Sequence, residues 1–369
     1  MFIGHFAVGF AAGRLVPRTP LPWLLIALAA QGCARGPSPP AGPASAPRLV
    51  MQTSGTTALL QAVSPVSDRV VWASGHAGTW AITTDGGTTW RASRVPDADT
   101  LQFRDVEAFD SLTAYLLAAG PGDMSRIYRT DDGGRTWSLQ FRNAEPAAFY
   151  DCLTFWDRDH GAAVSDAVRG RMVILTTSNG GRTWEQVPHE AIPEALPGEG
   201  AFAASGTCLV SAGSRHAWIG TGSESGARVY RTTDRGRTWT VATTPIVHGP
   251  ASGIASLAFR NGREGFATGG RLGAPDERAD NVALTRDGGI TWTLAAGPPF
   301  TGAVFGSALV PGLPRALLVA GPRGLAVSYD EAASWSLLDS GSWWAVGCAS
   351  RRACWAVGPR GRIARIALP

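Results

Sequence analysis

Six short segments of this 369-residue chain carry an acidic or amide side chain at a fixed place among hydroxyl and glycine residues. Five follow the pattern Thr/Ser-x-Asp-x-Gly-x-Thr/Ser-Trp, which we call the box, with asparagine for the acid in one copy. A carboxylate in such a setting can coordinate calcium or act as a general acid. The side chains are Asp85, Asp132, Asn179, Asp234 and Asp287, with Asp330 in a sixth, less regular copy.

The spacing of the boxes argues against shared chemistry. The tryptophans that close them are Trp90, Trp137, Trp184, Trp239, Trp292 and Trp335, at intervals of 47, 47, 55, 53 and 43 residues. A period in this range is typical of repeated supersecondary units. Each of these side chains therefore belongs to its own unit, and the six cannot converge on one substrate or one metal.

We interpret the box as a structural turn. Its acid can accept hydrogen bonds from turn amides, its glycine supplies a positive φ, and its tryptophan packs against neighbouring strands. Asn179 can still accept those bonds. Ala332 replaces the glycine in the sixth copy and predicts an altered turn there.

The residues around each box predict short antiparallel strands. Apolar and polar residues alternate between glycine-containing turns, and each repeat holds four such runs. The units lie near residues 58–96, 101–143, 147–188, 198–245, 252–298, 300–340 and 341–368. The last unit lacks a fourth strand, and residues 48–53 can supply it. The sequence therefore predicts an all-β, seven-bladed β-propeller of four-stranded antiparallel blades, the last closed by an N-terminal strand.

The N-terminal residues predict export. Two arginines precede the apolar residues 21–30, and small residues then lead to Cys33, so residues 1–33 resemble a signal peptide or a lipoprotein signal with Cys33 as the lipidation site. Residues 34–47 are rich in Pro, Gly, Ala and Ser, which predicts a tether to the propeller at 48–369. We expect an exported protein, periplasmic or lipid-anchored, whose one membrane contact is the anchor.

Export makes disulfide bonds chemically accessible. Cys348 and Cys354 flank a short connection, where a bridge across a hairpin is sterically reasonable. Cys152 and Cys208 occupy equivalent repeat positions, and we interpret them as small buried residues on inner strands.

The boxes resemble the Asp-box (BNR) repeats of bacterial sialidases and related propellers. The longer unit, Trp-Ala-x-Gly-x-x-Gly before Thr-x-Asp-Gly-Gly-x-Thr-Trp, is more similar still to the photosystem II stability/assembly factor family, over residues 48–368. That resemblance implies a propeller that binds a protein or assists an assembly. Sialidase chemistry is disfavoured, since no Arg-Ile-Pro motif is present and Tyr150, beside Asp151, is the one suitable tyrosine.

Candidate binding residues lie at the mouth of the central channel. The connections into the innermost strands and those between second and third strands share one face of a propeller, and the boxes lie on the other. The leading candidates on the mouth face are Arg104, Asp105, Asp151 and Asp166. Further candidates there are Tyr150, Arg169, Glu199 and Arg271, and His76 also lies on one of these connections.

The composition and the residue spacings argue against several classes of function. The net charge of +4 is dispersed, without the basic patch of a nucleic-acid-binding protein, and no spacing fits a metal site or a cofactor motif. The leading hypothesis is a monomeric exported propeller that binds a protein of the cell envelope, with no catalytic residues. Two alternatives stay open: a hydrolase or lyase acting on glycans with carboxylates at the mouth, and a redox accessory protein.

Overall fold

The computed structural model describes residues 46–369, which fold into seven four-stranded antiparallel sheets. In six sheets, four consecutive strands lie side by side from the innermost to the outermost. This arrangement confirms the predicted seven-bladed, all-β propeller. Cys33, the predicted signal and most of the predicted tether lie outside the described residues.

The strands are numbered in chain order. Before blade 1 comes β1 (Arg48–Thr53), and blade 1 contains β2 (Leu60–Pro65), β3 (Val71–Gly75), β4 (Thr79–Thr83) and β5 (Arg91–Arg94). Blade 2 contains β6 (Phe103–Ala108), β7 (Ala114–Ala118), β8 (Arg126–Thr130) and β9 (Ser138–Arg142). Blade 3 contains β10 (Tyr150–Phe155), β11 (Gly161–Val168), β12 (Arg171–Thr177) and β13 (Glu185–Gln186). Blade 4 contains β14 (Leu209–Ala212), β15 (His216–Gly220), β16 (Arg228–Thr232) and β17 (Thr240–Thr243).

The remaining blades follow the same plan. Blade 5 contains β18 (Ser252–Phe259), β19 (Gly265–Arg271), β20 (Val282–Thr285) and β21 (Thr293–Leu294). Blade 6 contains β22 (Gly306–Val310), β23 (Leu313–Gly321), β24 (Gly324–Ser328) and β25 (Ser336–Asp339). Blade 7 contains β26 (Ala345–Ser350), β27 (Ala353–Val357) and β28 (Arg362–Ala367). Three short 3-10 helices, Gly122–Met124, His189–Ala191 and Pro359–Gly361, lie in connections.

Blade 7 takes its outermost strand from the other end of the chain. Strand β1 pairs antiparallel with β28, from Arg48 opposite Ala367 to Thr53 opposite Arg362. Each innermost strand also contacts the innermost strand of the next blade, and β26 contacts β2. The sheets therefore form a closed ring around a central channel.

The core lies between blades. The middle strands β3 and β4 are buried along their whole length, because each sheet is covered by a neighbouring sheet on both faces. Large aromatic side chains fill the gaps: Trp80 of blade 1 lies 5.7 Å from Trp137 of blade 2, centroid to centroid. Trp218 of blade 4 stacks on Phe259 of blade 5 at 3.6 Å.

The box is a self-contained turn, as predicted. In blade 2, Asp132 Oδ1 accepts hydrogen bonds from Thr130 Oγ1 and from the Thr136 amide, both at 2.9 Å. Its other oxygen accepts one from Thr136 Oγ1 at 2.6 Å. These hydrogen bonds, those from Thr136 first, lower the pKa of Asp132 to about 2. Asn179 keeps the amide bond, from Thr183 at 3.0 Å.

The sixth box does not differ as expected. The prediction of an altered turn at Ala332 is wrong: this residue adopts a φ of +64° and its amide donates to Ser328 Oγ at 2.8 Å. Asp330 still accepts from the Ser334 amide at 2.8 Å and from its hydroxyl at 2.6 Å. The hydrogen-bond set of the box therefore holds a non-glycine residue in the left-handed region.

The box also joins neighbouring blades. Its first glycine presents a carbonyl to the preceding blade: Gly180 O accepts from Tyr115 Oη at 2.8 Å and from Arg129 Nη1 at 2.7 Å. Gly288 O accepts from Trp218 Nε1 at 2.8 Å in the same way. Such a turn thus connects two strands of its own blade and accepts hydrogen bonds from the preceding blade.

Two disulfide bonds reinforce the ring. Cys348 and Cys354 are bonded across the β26–β27 hairpin, the pairing considered from the sequence. Cys152 and Cys208 are also bonded, which corrects their interpretation as merely small buried residues. Their bond joins the innermost strand of blade 3 to the residue before that of blade 4, where the two repeats place them side by side.

Among residues 46–369, no helix has the length and apolar character needed to cross a membrane.

We predict that Asp132→Ala lowers the midpoint of thermal unfolding, because the Thr130 and Thr136 donors lose their acceptor. Asp132→Asn is the matched control and should stay close to the wild type, since Asn179 performs the same role naturally. Circular dichroism melts of both variants measure the difference. Equal melting of the two variants would contradict the structural role given to the carboxylate.

Candidate functional site

The candidate site lies at the end of the channel opposite the boxes. There the connection between second and third strands of one blade meets the connection into the innermost strand of the next: the Gly78 amide donates to Leu101 O at 2.9 Å. The boxes, on the connections between third and fourth strands, lie at the other end. Chemistry at this mouth is therefore separate from the box carboxylates.

A pocket of about 450 Å³ fills the mouth, and all seven blades contribute to it. Its polar side comes from blades 1 to 3 and consists of Gln61, His76, Arg104, Asp151 and Asp166. Its apolar side comes from blades 4 to 7 and includes Phe202, Leu272, Phe305 and Trp344, while Phe149 of blade 3 adds a further ring. Phe305 and Trp344 pack together at 4.9 Å. The pocket is therefore amphipathic.

Arg104 is fixed in place on the polar side. Its Nε donates to Gln102 Oε1 at 3.0 Å, and its Nη1 donates to Ala203 O at 3.4 Å across the channel. Burial lowers the pKa of Arg104, and the nearby Asp151 carboxyl raises it. An arginine in this position keeps its charge at any physiological pH.

Asp151 and Asp166 form a carboxyl pair beside this arginine. Asp151 is 2% exposed, and burial, then the charge of Asp166, raises its pKa well above the ordinary value. Burial also raises the pKa of Asp166, whose Oδ1 accepts from the Ala201 amide at 3.0 Å. Hydrogen bonding links the two carboxyls directly. Two adjacent buried carboxyls cannot both ionise cheaply, so the pair holds one proton and one negative charge.

Four residues of the pocket carry a buried polar atom that no other described residue satisfies. The atoms are Gln61 Oε1, His76 Nε2, Asp151 Oδ2 and Trp344 Nε1, four of the eleven such side-chain atoms found among residues 46–369. Native proteins leave few buried polar groups without partners, and such groups mark catalytic or ligand-binding places. Their concentration in one pocket indicates a binding site.

Two predicted residues lie near the channel but not in this pocket. Asp105 is 3% exposed and accepts a hydrogen bond from the Leu153 amide at 2.7 Å, and burial raises its pKa. Tyr150 packs edge-on against Phe141 at 5.1 Å between blades 2 and 3. Asp151 is the extra residue of a β-bulge between Tyr150 and Cys152, so it faces the channel pocket while Tyr150 packs between the blades.

Glu199, Arg169 and Arg271 lie outside the pocket as well. Glu199 is fully enclosed and accepts from Arg228, from Thr221 Oγ1 at 2.6 Å and from the Leu196 amide at 2.7 Å. Its hydrogen bonds are all internal, which is typical of a structural ion pair. Arg169, on the β11–β12 connection, pairs with Glu145 at 3.4 Å, and Arg271, the last residue of β19, pairs with Glu277 at 3.5 Å; both arginines are exposed.

The sequence did not lead us to predict the aromatic residues of the apolar side, which we call the aromatic wall. Phe149, Phe305 and Trp344 each stand one residue before the innermost strand of their blade. Leu59 and Gln102 occupy the same place in blades 1 and 2. An aromatic residue repeated at this position is a signal that could have identified the wall.

Below the mouth, the channel is polar. Ser205, Thr207, Ser256 and Ser307 form a chain of hydroxyl hydrogen bonds of 2.7 to 2.8 Å. Glu107 faces the same channel, and burial there raises its pKa to about 7. No cluster of three or more His, Cys, Asp or Glu side chains that could hold a metal occurs in the described part of the chain.

Similarity to known proteins agrees with the repeat and the fold described above. Residues 128–139, which contain the second box, match the family model described as BNR/Asp-box repeat. With six boxes at equivalent turns of seven blades, the repeat and the fold agree. The chain is a seven-bladed propeller with a BNR/Asp-box repeat. A comparison with curated protein sequences gives no match.

Solved structures of similar fold have low sequence identity to this propeller. A structure of YCF48 bound to a D1 peptide has a TM-score of 0.63 and 16% identity, covering 89% of this chain and 99% of that one. YCF48 from Cyanidioschyzon merolae has a TM-score of 0.62 and 15% identity, covering 86% and 98%. A GH74 xyloglucanase from Xanthomonas campestris has a TM-score of 0.61 and 16% identity, covering 86% of this chain but 53% of the enzyme.

We predict that Glu107→Gln changes the pH dependence of stability. A carboxyl whose pKa rises from 4.5 to about 7 on folding favours the native state fully below pH 4.5. That contribution is lost as the pH rises to about 7. Chemical denaturation at pH 4.5 and pH 8 should therefore show the glutamine variant gaining stability relative to wild type at pH 8, by up to about 3 kcal/mol. An unchanged difference between the two pH values would contradict the burial of this carboxyl.

Proposed function

We propose that this propeller binds a segment of a protein partner at the mouth pocket and performs no catalysis. The observation that carries the proposal is the amphipathic pocket, with four unpartnered polar atoms beside an aromatic wall. A protein segment offers both complements, since its backbone and polar side chains hydrogen-bond while an apolar side chain covers the rings.

The framework suits recognition by a fixed surface. The lining residues stand at the ends of innermost strands or on short connections, and the ring holds those strands from both sides. A preformed pocket saves the entropy of ordering the site on binding. The YCF48 structure bound to a D1 peptide supports the proposal, because it shows that a propeller of similar fold accommodates a peptide.

A glycan-acting hydrolase is the second candidate. The similarity to a xyloglucanase and the presence of two mouth carboxyls favour it. Glycoside hydrolysis, however, uses carboxyls about 5–9 Å apart. Asp151 and Asp166 are in hydrogen-bonding contact, which leaves no room for a sugar or a water between them. The redox alternative has no supporting feature in residues 46–369, where all four cysteines are in disulfides.

We further propose that the protein is exported and held in the envelope through Cys33. Two disulfide bonds support this, since such bonds persist in oxidising compartments. Cell fractionation should recover the full chain with membranes and the Cys33→Ser variant in the soluble envelope fraction or as unprocessed precursor. Recovery of the wild type in the cytoplasm would contradict the proposal.

Partner binding can be tested with a matched pair of variants. Leu272→Ala, combined with Trp344→Ala, removes part of the apolar wall, whereas Leu112→Ala removes an exposed leucine near the boxes, on the opposite face. Crosslinking in intact cells followed by purification should recover a protein with the wild type and with Leu112→Ala. Its yield should fall about tenfold or more with the wall variant, because central apolar contacts dominate binding. Equal recovery from all three would contradict a site at the mouth.

A further inference from the structure

The charges that face the mouth pocket cancel. Arg104 contributes one positive charge, and the Asp151–Asp166 pair contributes one negative charge because its two carboxyls share a proton. Burial and the neighbouring Arg104 lower the pKa of His76, so this imidazole is neutral at pH 7. Asp105 lies deeper in the channel, outside the pocket, and burial raises its pKa. No other titratable side chain lines the pocket within the described residues.

We propose that the mouth pocket selects an uncharged group with a flat apolar body and a polar end, such as a phenol side chain of the partner, and excludes ions of either sign. This inference rests on the proposed function and specifies which part of a partner enters the pocket. It follows from the balanced charges and from the mixture of donors and acceptors that the pocket leaves unpaired.

The unpartnered atoms describe the complement. Trp344 Nε1 can only donate, Gln61 Oε1 can only accept, and Asp151 Oδ2 accepts, because the shared proton is engaged between the two carboxyls. A ligand end that offers both a donor and an acceptor satisfies them together, whereas a carboxylate offers acceptors alone and an ammonium donors alone. The rings of Phe305 and Trp344 provide the surface for the flat body.

Desolvation excludes the charged alternatives. A charge that enters the pocket against its buried lining loses part of its hydration and needs a counter-charge there. Arg104 is already balanced by the acid pair, and the pair by Arg104. An extra carboxylate or ammonium would therefore leave one charge without a partner, which costs more than the hydrogen bonds return.

Three probes of the same size and different charge test the inference: benzamide, benzoate and benzylammonium. Chemical-shift titration of the full chain at pH 7 measures the affinity of each. We expect benzamide to bind about tenfold or more tightly than either ion. Stronger or equal binding of benzoate or benzylammonium, or binding by none of the three, would overturn the inference.

Charge variants sharpen the test. Arg104→Gln leaves the pair's negative charge unbalanced, so the preference should move to benzylammonium. Asp151→Asn should keep the preference for benzamide, because Asp166 then ionises fully and still balances Arg104. Asp151→Asn combined with Asp166→Asn should favour benzoate. If both wild-type carboxyls were ionised, the pocket would carry a net negative charge and prefer benzylammonium, and Asp151→Asn would make the pocket neutral. That result would also overturn the inference.

The probes do not depend on a partner, so the two proposals can fail separately. Selective benzamide binding without any partner recovered by crosslinking would count against the proposed function alone. Partner recovery lost in the wall variant, together with equal affinity for all three probes, would refute the selectivity for uncharged groups alone.

Discussion

Hydrogen bonds received by box carbonyls fix blades 1, 2, 3 and 5 to the blades that precede them in the ring. A single four-stranded sheet has two apolar faces and cannot be stable alone, so each blade must be fixed against the next. The carbonyl of the first box glycine does this for Gly180, which Tyr115 and Arg129 reach from the preceding blade. Gly86 performs the same role where the ring closes, accepting from Gln52 Nε2 at 3.2 Å and Arg365 Nη1 at 3.4 Å. The same contact recurs at Gly133 and Gly288, whereas the boxes of blades 4 and 6 have Arg235 and Glu331 at this place.

The architecture could be predicted from the sequence because it is encoded locally and repeatedly. A box contains its own donors and acceptors within eight residues, so the turn can be deduced without knowing what surrounds it. Features that depend on distant residues could not be deduced in this way. The bond between Cys152 and Cys208 spans 56 residues, and only the stacking of two blades brings the thiols together. The turn at Ala332 was mispredicted because the hydrogen bonds to Asp330 and Ser328 outweigh the loss of glycine.

The candidate site was predictable in part. Arg104, Asp151 and Asp166 meet in the mouth pocket because their places in the repeat put them at one end of the channel. Tyr150 does not join them, since the β-bulge beside it aims Asp151 into the channel and leaves the tyrosine between the blades. The proton shared by the two aspartates depends on burial and on their contact, neither of which is visible in spacing. The position of these three residues was therefore predictable from the sequence, whereas the charge state of the carboxyl pair was not.

The pairing of β1 with β28 has a consequence for how the chain can be rearranged. Because Arg48 lies opposite Ala367, the two ends of the folded body leave from the same edge of blade 7. Ends this close can be joined by a short linker, and new ends can be opened in an exposed connection elsewhere. The β1–β28 pairing is thus one of several places where the ring could begin and end. A circularly permuted chain with all four strands of blade 7 in sequence is compatible with the same architecture.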